Sequence, residues 1–247
     1  MIPMRPLSTV ELLSVWEKGL GRNSLERAQI VLQAARESPG DPDPGKLPLG
    51  ERDARLLTLR EWTFGSEVTA LSRCHKCKEE LELTFQVSDL RLPTTLPPQE
   101  LNFVAGDYEI KFRLPTSGDL ALVSSEAGNG GSIRNALLAR CVSDARHGSD
   151  PIATEALPEF VVEELSARMS EADPQAEIEL SLHCDSCGEH WNEVFDVESF
   201  FWTEIQAWAV RLLQEVHQLA ASYGWSEADI VAMSATRRSA YLSMISG

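Results

Sequence analysis

The fold is indicated most clearly by two segments, RCHKCKEEL (Arg73–Leu81) and HCDSCGEHW (His183–Trp191), because each carries a Cys-x-x-Cys pair. The residues on either side of the first pair, Glu67–Ser72 and Leu81–Val87, alternate between polar and apolar side chains. Such alternation is typical of β-strands. A similar stretch, Ile178–Leu182, leads into the second pair. The sequence therefore predicts that each pair lies at the tip of a strand, turn, strand unit.

A shift of 110 residues superimposes the two pairs without a gap. It aligns Cys74 with Cys184, Cys77 with Cys187, Glu67 with Glu177, Val68 with Ile178, Phe85 with Phe195 and Val87 with Val197. A gapless alignment that includes both pairs and their apolar flanks indicates an internal repeat. We expect the phenylalanine eight residues after the second cysteine to be a core contact in both copies.

The two pairs together supply the ligand set of a structural zinc site. Zinc in such sites takes four tetrahedral ligands, often cysteine thiolates. We therefore expect one structural Zn²⁺ per chain, bound by Cys74, Cys77, Cys184 and Cys187. The 106 residues between Cys77 and Cys184 make this a split zinc ribbon with a large insertion. Four thiolates leave no open position for water, so the metal would clamp the ends of the insertion together rather than catalyse a reaction.

The residues alone leave four alternative roles open for the cysteine pairs. The pairs also fit thiol–disulfide chemistry, two structural disulfides in an oxidising compartment, or a reduced state without metal. In the fourth alternative, each pair binds its own metal together with nearby histidines, which are His75, His183 and His190. The fifth cysteine, Cys141, lies among apolar residues and is predicted to be a small buried side chain.

The composition favours a folded protein that binds neither nucleic acid nor membrane. The 247 residues are 43% hydrophobic and 24% charged, and the formal net charge is −16. A broad phosphate-binding surface needs clustered Lys and Arg, which this charge disfavours. The sequence has no apolar run of transmembrane length and no recognisable secretory signal, so we expect a cytoplasmic location. No Ser-His-Asp or Cys-His catalytic arrangement can be inferred from the sequence.

Around the cysteine pairs, the chain is expected to adopt a mostly helical α+β fold. We predict an N-terminal helical region (residues 1–65), the split zinc-ribbon core (66–197) and a C-terminal helical tail (198–247). The core would carry an inserted hairpin and helices at about residues 91–176. Within this insertion the predicted elements are a hairpin (Leu101–Val104 with Tyr108–Leu114), a flexible joint (Gly128–Gly131) and two helices (Ser132–Arg146 and Leu157–Ala172).

The C-terminal tail has the strongest helical pattern in the chain. Apolar residues recur at helical spacing from about Glu198 to Ser222, at Phe201, Ile205, Trp208, Leu212, Val216 and Leu219. Gly224 is expected to end this helix, and Ser226 to cap the next. The tryptophans at 202, 208 and 225 are dense for a segment of this length, and we expect most of them to lie in the core. Aromatic residues on more than one face of a helix also suit burial against a protein partner, which is the alternative.

Several segments together resemble a known group of proteins. In chain order they are Arg60–Gly65 (REWTFG), the first cysteine pair, Phe112–Leu120 (FRLPTSGDL), Leu137–Val142 (LLARCV), Met169–Gly188 and Phe200–Ile245. With these features the chain resembles the zinc-knuckle proteins encoded beside contractile-tail genes. That group comprises T-even-type phage baseplate proteins and baseplate-hub assembly chaperones, and it extends to phage-like extracellular contractile injection systems. The C-terminal segment is the most specific part of the resemblance.

The resemblance implies a non-enzymatic role in building or completing a contractile-tail baseplate, with the four cysteines retained. The implied partners are hub, spike or wedge proteins, and the implied location is the cytoplasm or an assembled tail-like particle. Two functions from different classes stay as alternatives. A zinc-ribbon regulator would need a basic face that binds nucleic acid, and a thiol redox sensor would need an exposed cysteine of low pKa.

Overall fold

Helices and short antiparallel sheets alternate along the chain in a computed structural model that describes residues 4–92, 100–126 and 133–246. The described α-helices are α1 (Thr9–Gly19), α2 (Ser24–Ala34), α3 (Leu49–Phe64), α4 (Ser117–Glu126), α5 (Ile133–Cys141), α6 (Glu159–Ala172), α7 (Val197–Tyr223), α8 (Glu227–Val231) and α9 (Ala235–Ser246). The described strands are β1 (Glu67–Arg73), β2 (Glu80–Gln86), β3 (Leu101–Ala105), β4 (Tyr108–Phe112), β5 (Val142–His147), β6 (Asp150–Pro151), β7 (Glu179–His183) and β8 (His190–Val194). The fold is therefore α+β, as predicted.

The described residues form two compact units, one of which is built from two separate parts of the chain. Residues 4–41 and 197–246 make the helical unit, which holds α1, α2, α7, α8 and α9. Residues 42–196 make the cysteine unit, which holds the other helices and the strands. The contacts of α3 place it in the cysteine unit, and the division into three consecutive segments stays a prediction. In the described parts of the chain, no helix has the length and apolarity to cross a membrane.

The helical unit is packed around one face of α7. Its core comprises Leu13, Ala209, Leu212, Val216, Leu219, Ile230 and Val231. Phe201 and Ile205 are buried nearer the start of α7, and Trp208 is half-buried. The predicted apolar stripe is thus confirmed. Burial of one such face against neighbouring helices is what fixes a long amphipathic helix in a folded protein.

Short-range hydrogen bonds set the ends of the helices in this unit. The Ser8 hydroxyl accepts a hydrogen bond from the backbone N–H of Glu11, and the Glu11 carboxylate accepts one from the backbone N–H of Ser8. This reciprocal pair is a capping box, which satisfies two N–H groups at the start of α1. Gly224 ends α7 with a φ of +68°, a conformation that favours glycine. Ser226 caps α8, as predicted.

The side chain of Trp202 is buried inside the helical unit rather than exposed on its surface. A Cβ atom on Gly19 would lie 2.2 Å from Cη2 of the Trp202 ring, so the ring occupies space that only a glycine leaves free. The guanidinium of Arg27 lies over the Trp202 ring, with its central carbon 4.6 Å from the ring centroid. The Nε of Arg27 also donates a hydrogen bond of 3.1 Å to the Gly19 carbonyl. These contacts join α1, α2 and α7.

The insertion between the two cysteine hairpins has its own sheet and core. Its strands are antiparallel and run in the order β3-β4-β5-β6. The predicted hairpin is confirmed as β3 and β4, and the predicted helix at 157–172 is confirmed as α6, which begins at Glu159. The core of this part comprises Ile110, Phe112, Leu138, Cys141, Ala145, Leu157, Val161, Leu165 and Met169. Cys141 is buried in it, as expected from its apolar neighbours.

One predicted helix of the insertion is wrong in its second half. The sequence predicts a helix over Ser132–Arg146, but α5 ends at Cys141 and the chain continues as strand β5. The backbone N–H of Arg113 donates a 2.9 Å hydrogen bond to the Cys141 carbonyl, and β5 then pairs along β4. Pairing with β4 also buries Ala145, so tertiary contacts override local helix propensity here. The predicted joint at Gly128–Gly131 lies outside the described residues.

Candidate metal centre

The two cysteine hairpins share the same strand register. In both, the residue just before the first cysteine is paired with the residue three positions after the second cysteine. These pairs are Arg73 with Glu80 in β1–β2, and His183 with His190 in β7–β8. We call residues 73–80 the first knuckle and residues 183–190 the second knuckle. The internal repeat seen in the sequence is therefore a structural repeat as well.

The two knuckles also have the same turn geometry. In each, the N–H of the first cysteine donates to the carbonyl of the residue five positions later, over 2.9 Å for both Cys74 and Cys184. In each, the residue after the second cysteine has a positive φ, which is +67° at Lys78 and +72° at Gly188. This left-handed conformation is easy for glycine and strained for other residues. The chain tolerates the strain in the first knuckle and avoids it in the second.

We expect the change Gly188→Ala to lower the free energy of unfolding by about 1 kcal/mol. An alanine Cβ at Gly188 would meet no atom within 4 Å, so the cost comes from backbone strain alone. Denaturant titration measures it. Lys78→Ala is the matched control, because it keeps a non-glycine residue at the equivalent position and should change stability by less than about 0.5 kcal/mol. Equal losses in both variants would contradict the shared turn geometry.

The four predicted ligands converge on one point. The Sγ atoms of Cys74, Cys77, Cys184 and Cys187 all lie within 4.8 Å of one another. The closest pairs cross between the knuckles, with Cys74 to Cys187 at 3.6 Å and Cys77 to Cys184 at 3.5 Å. Sulfurs bound to one zinc at about 2.3 Å in a tetrahedron are about 3.8 Å apart. The arrangement therefore has the dimensions of a four-thiolate zinc site.

The thiols of this cluster influence one another. The pKa of Cys74 is lowered to about 6, chiefly because the backbone N–H of Cys77 donates to its sulfur. For Cys77, the backbone N–H of Glu79 lowers the pKa, but desolvation and the three neighbouring cysteines raise it to about 12. The pKa of Cys187 is also raised. One thiolate thus makes the next harder to form, and a divalent cation among the sulfurs would remove that penalty.

Side chains on the strands of the two hairpins contact each other directly. The rings of Phe85 and Phe195 pack edge to face with their centroids 5.6 Å apart. The hydroxyl of Ser72 donates a 2.6 Å hydrogen bond to the carboxylate of Glu193 on the other hairpin. The two equivalent phenylalanines, predicted as a core contact in each copy, are half-buried and contact each other. The hairpins therefore meet through a polar contact at Ser72, two residues before Cys74, and through an apolar contact at the far end of the strands, where Phe85 is paired with Val68.

Three residues that the sequence did not indicate hold the end of the insertion in place: Gln175 joins it to the start of the insertion, and Asp173 joins it to Gly50 in α3. The amide of Gln175 donates to the Leu90 carbonyl over 3.0 Å and accepts from the Leu92 N–H over 2.8 Å. The carboxylate of Asp173 accepts a 2.9 Å hydrogen bond from the N–H of Gly50. A Cβ on Gly50 would lie 2.0 Å from the Asp173 carboxylate, so only glycine fits there. The Asp-Pro sequence at 173–174 indicates a turn, but nothing local reveals these partners.

The fold and the site together define an α+β protein built around a four-cysteine cluster. Residues 12–202 match the family described as T4 bacteriophage base plate protein. The chain belongs to this family, which confirms the resemblance found in the sequence. The matched residues include all four cysteines but end near the start of α7, so they leave out most of the C-terminal segment. No curated protein and no solved structure gives a significant match. Family membership indicates a structural baseplate protein that contacts other baseplate components.

Proposed function

We propose that this protein is a non-enzymatic assembly or structural component of the baseplate of a phage-like contractile injection system. The observation that carries the proposal is the family match over residues 12–202, which spans both knuckles. The four cysteines within that match lie within 4.8 Å of one another, as a structural metal site requires. The family match supports the baseplate role, and the arrangement of the sulfurs supports the metal clamp.

In this proposal Cys74, Cys77, Cys184 and Cys187 hold one Zn²⁺ as a structural clamp. When bound, the metal supplies four strong bonds that connect two hairpins far apart in the chain. The protein's own contribution is to bring the sulfurs together, through the shared register and the contact of Phe85 with Phe195. Cys74 and Cys184 are fully buried, which shields half of the ligand set from water and oxidants.

The helical unit supplies the proposed surface for hub, spike or wedge proteins. Near the end of α7, Tyr223 and Trp225 stack with centroids 4.5 Å apart, and Tyr241 packs on Trp225 at 4.8 Å. The guanidinium of Arg237 lies 5.8 Å from the Tyr241 ring centroid. Tyrosine, tryptophan and arginine are the residues most enriched at interface hot spots. The net charge of −16 favours a partner with a basic contact surface.

Removal of the gene from the contractile system that encodes it tests the proposal. We expect few or no complete particles by electron microscopy, and recovery on complementation with the wild-type gene. Complementation with a Trp225→Ala, Tyr241→Ala double variant should restore assembly less well. Circular dichroism at 222 nm and the melting temperature of the variant show whether the helical unit, on whose core both rings pack, remains folded. Normal numbers of complete, contractile particles without the gene would refute a role in baseplate assembly.

Mass spectrometry of purified particles then distinguishes a structural subunit of the particle from an assembly chaperone. A particle subunit should be present in a fixed ratio to the other baseplate proteins. An assembly chaperone should be absent from complete particles and should bind a baseplate protein in the cytoplasm. Affinity purification followed by crosslinking identifies the bound component in either case.

A further inference from the structure

A pair of histidines lies on the surface of the second knuckle, outside the cysteine cluster. His183 and His190 occupy directly opposite positions on β7 and β8. Their ring centroids are 4.3 Å apart, and the ring planes are inclined by 32°. Both residues are exposed, with 45% of the His183 side chain accessible. The two imidazoles are therefore close to each other and open to solvent.

This separation is close to that of two imidazoles bound to one metal ion. A metal–nitrogen bond of about 2.1 Å places the centroids of two adjacent imidazole ligands about 4.5–5 Å apart. The observed 4.3 Å is close to that range, and both side chains are exposed, so rotation about their bonds would bring one nitrogen of each ring to the same ion. Opposite positions on an antiparallel pair also fix the two Cβ atoms at a short distance. The hairpin thus preorganises both ligands, which lowers the entropic cost of binding.

A neighbouring carboxylate lies beside one of the two histidines. Oδ1 of Asp185 is 3.1 Å from Nδ1 of His183, which leaves Nε2 as the other ring nitrogen available to a metal. Carboxylate–histidine–metal arrangements of this kind are common around protein metal ions. The negative charge of Asp185 also attracts a cation.

The first knuckle provides an internal comparison. Its equivalent pair is Arg73 and Glu80, whose charged groups are 3.7 Å apart. The two hairpins have the same backbone register, but at this position one carries an ion pair and the other carries two imidazole side chains. The difference is in side-chain chemistry, since the backbone is equivalent.

From this geometry we propose that His183 and His190 form a second metal site, for a divalent transition-metal ion that prefers imidazole ligands, such as Cu²⁺, Ni²⁺ or Zn²⁺. The ion would be exposed, with water in its other coordination positions. It is distinct from the ion expected among the four cysteines. This site does not depend on a role in the baseplate, so failure of either proposal would leave the other unaffected.

Calorimetric titration of the untagged, zinc-loaded full-length protein with Ni²⁺ tests this site. We expect one additional Ni²⁺ per chain, and an affinity at least tenfold weaker in His183→Gln and in His190→Gln. His217→Gln is the control, because His217 is an exposed histidine on α7 and its loss should leave the affinity unchanged. Zinc content and melting temperature are measured on every sample, to show that the variants remain folded.

Three results would overturn the second site. The first is no additional nickel in the wild-type protein. The second is equal nickel affinity in the wild type and both knuckle variants. The third is loss of zinc in step with nickel uptake, which would place the nickel among the cysteines. Use of two independent variants keeps the test valid if one of them disturbs the hairpin.

Discussion

The change Cys184→Ser is expected to reduce the zinc content from about one ion per chain to nearly none and to destabilise the cysteine unit strongly. The sulfur of Cys184 is fully buried and lies 3.5 Å from that of Cys77 on the other knuckle. Structural zinc contributes its binding free energy directly to folding, because the unfolded chain has no assembled site. We expect a loss of several kcal/mol and a fall in melting temperature of about 10 °C or more.

Elemental mass spectrometry and thermal unfolding of the same samples measure both effects. Cys141→Ala is the matched control, since Cys141 is also buried but lies in the core of the insertion. It should keep its zinc and lose about 1 kcal/mol of stability. If Cys184→Ser retained its zinc and its melting temperature, the four-thiolate site would be refuted. If the wild-type protein and the Cys141→Ala variant both contained no metal, the proposed clamp would be refuted as well.

The second large effect is expected from Leu212→Ala in the helical unit. Leu212 is 2% exposed and lies in the core between α7 and its neighbours. Truncation removes buried apolar surface and leaves a cavity, which together cost about 2–5 kcal/mol for a leucine in a well-packed core. Zinc content should not change, because the cysteines belong to the other unit.

Val210→Ala on the same helix is the control for this prediction. Val210 is 41% exposed, and alanine has a higher helix propensity than valine, so its stability should change by less than about 0.5 kcal/mol. Denaturant titration followed by circular dichroism at 222 nm reports on both variants. Similar losses from the two substitutions would show that the buried face of α7 is assigned incorrectly.

The parts of the fold with a clear local period were predictable from the sequence. The apolar stripe of α7 repeats at helical spacing, and Gly224 ends the helix where its lack of a Cβ is needed. The hairpins around the cysteines follow from alternating strands and from the 110-residue repeat. The repeat also indicated the four candidate ligands, whose sulfurs lie close together in the structure.

The parts that depend on distant partners were not predictable in this way. The sequence predicts a single helix over Ser132–Arg146, whereas the switch to β5 follows from hydrogen bonding with β4, about 30 residues earlier in the chain. The bonds of Gln175 with residues 90 and 92 span more than 80 residues. Local periodicity carries no information about such pairings. Nor did it indicate that Phe85 and Phe195 contact each other.

The split arrangement of the cysteines has a consequence for the newly made protein on the ribosome. Cys77 is synthesised 107 residues before Cys184, an interval of about 5 to 20 s at ordinary translation rates. During that time the nascent chain carries two thiols and a hairpin whose counterpart does not yet exist. The interval between synthesis of α1 and α2 and synthesis of α7, against which they pack, is longer still. Neither unit is therefore expected to complete its fold until these later segments have been synthesised.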